Sequence, residues 1–168
     1  LATAPDGAAH FLARTLAALD LGTGTLGRAG ADTPFLASLT SAGEVARTLP
    51  LATWPGGQQA LALLPDATAL VLGDLFTDAE FGAGTLDHQG GGDAFLVQFT
   101  PDGAPRCGRT YGDVDRQQGL ALATADHRAL ALMRTRGAIN PRPGVWDTNL
   151  SAEDLVVVAL DRSTRVVE

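Results

Sequence analysis

Apolar residues in this chain come in runs of four to seven broken by turn-forming residues, as in "QALALLP" (59–65) and "ATALVLG" (67–73), which flank Asp66. Runs this short, bounded by turn signals, predict strands rather than helices. "DAFLVQFT" (93–100) alternates, placing Phe95, Val97 and Phe99 on one face and Leu96 and Gln98 on the other. Pro101, Asp102 and Gly103 then turn the chain into a fourth strand, "APRCGRTYG". Leu120 and Leu122 alternating with Ala121 and Ala123 would suit a helix in isolation, because both residue types favour one. Turn residues at matching positions in three stretches select strands instead.

Those three stretches are copies of one unit. Residues 1–43 align without gaps on 61–103, with 15 of 43 pairs identical, where this composition gives roughly four or five by chance. A weaker third copy matches Gln118, Asp126, Leu130 and Leu132 to Gln58, Asp66, Leu70 and Leu72, and one added residue later "EDLVVVALDRSTRVV" falls on "GDAFLVQFTPDGAPR". The units are approximately 1–58, 59–118 and 119–168. This repetition also disposes of a nucleotide fingerprint. "DLGTGTLGRAG" (20–30) has the G-x-G-x-x-G spacing, yet no helix signal follows it, and in "EFGAGTLDHQG" (80–90) Asp87 replaces the third glycine. The stretch is read as a glycine-rich loop.

Four antiparallel strands in tandem, without helices between, predict an all-β fold of about three β-propeller blades in a single repeat array. The residues "DAFLVQFTPDGAPRCGRTYGDVDRQQGLALATADHRALAL" resemble the bacterial β-propeller repeat called SBBP, common in secreted proteins and lipoproteins of myxobacteria-like organisms. The likeness covers essentially the whole chain and is best from Gly82 to Leu132; it departs on strand four, where Cys107 and Arg47 stand at positions at which the family tends to have Trp. The resemblance implies a propeller fold and an extracellular or cell-surface location, and says little about activity. Propellers close with about four to eight blades, so fewer than three leave strand edges that must be paired. The pairing partners expected are neighbouring blades of a longer chain or further copies of this one. Leu1, with no Met or leader pattern, is read as the start of a mature or excised segment.

Composition narrows the partners. All 12 basic residues are Arg and the net charge is -7, so the chain lacks the basic stripe that nucleic-acid binding requires. No apolar run is long enough to insert in a membrane as a helix. The single Cys107 makes neither an internal disulfide nor a CxxC motif and is read as a half-buried strand residue. A protein or a carbohydrate is the partner expected.

Antiparallel order gathers the long loops at one end, and binding residues concentrate on such loops. The candidate ligand-binding residues there are Trp54, Tyr111, Asp113, Asp115 and Trp146, the two tryptophans as stacking or anchoring surfaces. Asp113, Asp115 and Gln118 offer oxygen ligands for calcium, but the D-x-D-x-D-G series with its bidentate Glu is missing, and no cofactor is expected. Asp20 and Glu80 recur at one repeat position, as structural acids do. With no G-x-S-x-G or H-E-x-x-H motif, the function read is a noncatalytic binding or structural module. The alternative is a propeller hydrolase or lyase acting on polysaccharide through carboxylates such as Asp113 and Asp115.

Overall fold

A computed structural model describes residues 1–51, 59–80, 84–101, 103–125, 128–137, 139 and 153–160. Every regular element among them is a β-strand, and every pairing is antiparallel. The chain divides into two compact units, Leu1–Thr53 and Trp54–Glu168.

In the first unit, β1 (Ala2–Thr3), β2 (Ala9–Thr15), β5 (Thr33–Leu39) and β6 (Val45–Pro50) form a four-stranded sheet in the order β1-β2-β5-β6. β3 (Leu19–Asp20) and β4 (Thr25–Leu26) form a small separate hairpin. The buried side chains of Leu26, Phe35 and Ala37 make the core, with Phe11, Ala13, Leu19 and Leu21 packed around them. Phe11 meets Phe35 edge to face, with ring centroids 6.2 Å apart, the arrangement that ring quadrupoles favour.

The second unit repeats this plan. β7 (Gln59–Leu63), β8 (Ala69–Leu75), β11 (Asp93–Phe99) and β12 (Pro105–Tyr111) form a sheet in the order β12-β11-β8-β7, and β9 (Ala79–Glu80) pairs with β10 (Thr85–Leu86). The sixty-residue period is present in the hydrogen-bond register itself. Ala9↔Leu39 through Thr15↔Thr33 become Ala69↔Phe99 through Leu75↔Asp93. Leu19↔Leu26 becomes Ala79↔Leu86, and the irregularity between Ser38 and Leu39 recurs between Gln98 and Phe99. The turn that follows is also shared. Gly43 N–H donates to Thr40 O at 2.9 Å and Gly103 N–H to Thr100 O at 2.7 Å, with the glycines at φ +84 and +80, where a Cβ is disfavoured.

β13 (Gln117–Ala125), β14 (Arg128–Arg136) and β15 (Glu153–Leu160) form a third sheet, ordered β13-β14-β15. Gly119↔Met133 continues the register of Gln59↔Gly73, and a bulge between Gly119 and Ala121 then shifts the rest of the ladder by one residue. Leu132↔Val157 answers Leu72↔Leu96 with the one added residue that the sequence alignment required. The fourth strand expected for this copy falls on residues outside those described.

The second and third sheets stack face to face. Leu70, Leu72, Ala94, Leu96 and Tyr111 on one side, and Ala129, Ala131, Met133, Val158 and Leu160 on the other, form one buried cluster. Polar bonds fix the alignment of the layers: Thr124 Oγ1 donates to Leu63 O at 2.8 Å and Gly119 N–H to Asp74 Oδ1 at 3.0 Å. The stacking is close at Gly119, where a Cβ would stand 2.6 Å from Leu72 Cγ.

Candidate functional site

In the glycine-rich stretch that mimics a nucleotide fingerprint, Gly22 and Gly24 stand in the four-residue loop that joins β3 to β4. Asp20 Oδ1 accepts the Gly22 N–H at 2.8 Å, and Glu80 accepts the Thr85 hydroxyl across the equivalent pair. Both acids hold their own hairpins.

At the long-loop end of the second unit, the segment "GDVDRQQG" folds on itself. Asp113 Oδ1 accepts from Asp115 N–H at 2.9 Å and from Gln117 Nε2 at 2.8 Å. Gln117 is fully buried and also donates to Arg136 O at 2.9 Å, while Asp113 N–H donates to Gln117 Oε1 at 3.2 Å. Gln117 N–H donates to Gly92 O at 2.6 Å, and Gly91 N–H to Val114 O at 3.0 Å, binding the Gly90–Gly92 run to this loop. Asp113 and Asp115 converge on Gly137, where a Cβ would lie 2.9 Å from Asp113 Oδ2 and 2.7 Å from Asp115 Oδ2. The structure thus brings together the two predicted carboxylates. Among the described residues no group of three or more His, Cys, Asp or Glu is placed to hold a metal, and calcium takes about six to eight oxygens.

Other predicted residues stand elsewhere. Tyr111 is enclosed in the core and presents no ring to a ligand, because its side chain lies in the stacking face of β12 beside Ala94; burial pushes its hydroxyl up to about 12. Trp54 and Trp146 lie outside the described residues. Cys107 is half-buried on β12 and its thiol donates to Gln98 Oε1 at 3.2 Å.

Two buried acids were not legible as such. Asp93, read from sequence as the start of the strand 93–100, is fully buried at the start of β11; its Oδ2 accepts the Gln89 N–H at 2.8 Å and its Oδ1 has no hydrogen-bond partner. Burial pushes its carboxyl above the ordinary range, against the Gln89 N–H and the nearby His88, with the charge of Asp113 pushing it further up. Asp74 is likewise buried and raised by desolvation, opposed by the Gly119 N–H, the Gln118 amide, and the charges of Arg116 and Arg134.

Arg134 and Arg136 lie on β14, and Arg116 directly precedes β13. Arg116, Gln118, Arg134, Arg136 and Glu153 line a shallow depression of about 80 Å³. Glu153 lies 3.6 Å from Arg134 and 3.5 Å from Arg136, and Arg134 also donates to Gln118. The Arg14–Asp32 pair of the first sheet occupies the positions equivalent to Arg134 and Glu153. In the second copy these positions hold Asp74 and Gly92, and the acid there bonds the neighbouring sheet instead. Arg116 stacks over Phe76 at 5.9 Å, and both Arg116 and Arg136 are exposed.

No family model matches the chain, and neither does any curated protein.

Proposed function

We propose that the chain is a noncatalytic binding module built of β-propeller blades, extracellular or displayed at the cell surface, and that it receives an acidic group of a glycan in the depression between Arg116 and Arg136. The observation that carries the architectural half is the sixty-residue period in pairing register, by which the first two copies repeat one supersecondary unit, and it is supported by the stacking of the second sheet on the third. For the ligand, two exposed guanidinium forks stand together on a chain whose net charge is -7. Arginine matches a carboxylate in planar, two-bond geometry. The Asp113 carboxylate, a candidate catalytic acid in the hydrolase or lyase alternative, supports the noncatalytic reading because one of its oxygens already takes two donors of its own loop.

The test is calorimetry with a uronate-containing oligosaccharide beside its neutral analogue, with parallel assays for bond cleavage. Binding to the acidic sugar alone is expected. Arg136→Gln and Arg116→Gln each weaken it about tenfold, the loss of one charge-assisted contact. Equal binding by wild type and both variants overturns the site. Cleavage that disappears in Asp115→Ala overturns the noncatalytic reading.

A further inference from the structure

The outward face of the third sheet is apolar and uncovered. Leu155 is 66% exposed, Val157 62% and Leu130 43%, with Ala121 and Ala123 exposed beside them. Register places them together: Ala123 pairs with Leu130 and Ala121 with Leu132 on one side of β14, and Leu132 with Val157 and Leu130 with Ala159 on the other. A contiguous patch of this kind on a sheet marks a contact surface.

The same molecule shows what covers such a face. In the second sheet the equivalent residues are Leu70, Leu72, Ala94 and Leu96, all buried at 2% or less under the third sheet. The side chains that cover them are Ala129, Ala131, Met133, Val158 and Leu160. At the equivalent positions the first sheet has Ala9, Phe11, Ala13, Ala37 and Leu39, again all apolar, with Ala9, Phe11, Ala13 and Leu39 only half-buried.

We infer that the third sheet of one copy of this chain docks on the first sheet of a second copy, head to tail, by repeating the contact the chain already makes between its second and third sheets. The occupant is a second copy because it carries both the uncovered face and a sheet with the covering pattern. Polar demand at the loop end is already met, since Arg134 sits where Asp74 reaches across to the next sheet and is paired instead with Glu153 on its own sheet. Docking leaves Arg136 accessible, because its equivalent, Phe76, stays half-exposed beneath a stacked sheet. The inference therefore stands apart from the glycan site.

Light scattering on the whole 168-residue chain tests it. The expected mass is a multiple of 17.3 kDa that falls to the monomer in Val157→Arg and, separately, in Ala9→Arg, with unchanged strand circular dichroism. Mixing the two variants restores a complex that stops at two chains, since each retains the face the other lacks. Should either variant unfold, Leu155→Arg and Ala9→Glu take their places. A wild-type monomer at all concentrations, or a mass unaffected by Val157→Arg, overturns the docking. Variants that stay monomeric on mixing overturn the head-to-tail geometry.

Discussion

A single oxygen in the second unit has an electrostatic consequence that can be tested. Asp93 Oδ1 is buried with no partner, and a methyl on Gly112 would collide with it and stand 2.7 Å from Gln117 Oε1, so two acceptors face one corner whose donor, the Asp113 N–H, is taken by Gln117. Gln117 cannot turn its amide to help, because Nε2 is committed to Asp113 and to the Arg136 carbonyl. Burial without a donor at this oxygen disfavours the charged carboxylate, the direction in which Asp93 is displaced. A carboxyl raised on folding holds its proton more tightly in the folded state. Its contribution to stability is full below the ordinary carboxyl range and is lost as pH rises through the raised folded value. Asp93→Asn keeps an acceptor for Gln89 and adds an amide donor. Urea unfolding at a series of pH values from 4 to 8 is expected to show the variant gaining on wild type as pH rises; a constant difference would mean that Asp93 ionises without cost. His88 and Asp113, the charges nearest Asp93, stay in place in both proteins.

Turns and hairpins show how far the sequence determined the elements. The strand over 93–100 and the Pro101–Gly103 turn were legible because alternation and turn residues coincide, and β11 runs over Asp93–Phe99. The second strand starts later than the expected Ala67, at Ala69, because Leu64 N–H bonds Thr68 O and Ala67 N–H bonds Leu64 O at 2.9 Å each, spreading the turn over five residues. That turn forces Ala67 to φ +61, where the first copy has Gly7 at +87. A left-handed alanine costs about 1 kcal/mol relative to glycine. Ala67→Gly is accordingly expected to raise stability by up to about 1 kcal/mol, less whatever flexibility it adds to the unfolded chain, and thermal unfolding measures it. The hairpins at Leu19–Leu26 and Ala79–Leu86 were invisible as strands because a ladder of two pairs leaves no periodicity to read. Burial of Asp93 and Gln117 was equally hidden, since the loop sequence that encloses them is polar and glycine-rich.

Across the whole molecule, the repeat makes one side chain a control for another. Leu96 and Val157 occupy the same register position in successive copies, opposite Leu72 and Leu132, yet Leu96 is 0% exposed and Val157 62%. Alternation and the pairing to the preceding strand are the same, so the difference lies in what else each side chain meets: the third sheet stacks on Leu96 and β12 flanks it, while the strand expected beside Val157 falls outside the described residues. Removing buried methyls costs their transfer free energy plus the cavity left behind, about 2–5 kcal/mol for a large-to-alanine change in a core. Truncating an exposed side chain stays within about 0.5 kcal/mol. Leu96→Ala is therefore expected to lower the urea midpoint sharply at every protein concentration. Val157→Ala should leave the midpoint of dilute protein unchanged and lower it only at concentrations where copies associate, since stability gained by association grows with concentration. A Val157→Ala penalty as large in dilute as in concentrated protein would mean that this face is covered within the single chain, and the equivalence between the two sheets would extend to their burial as well as to their register.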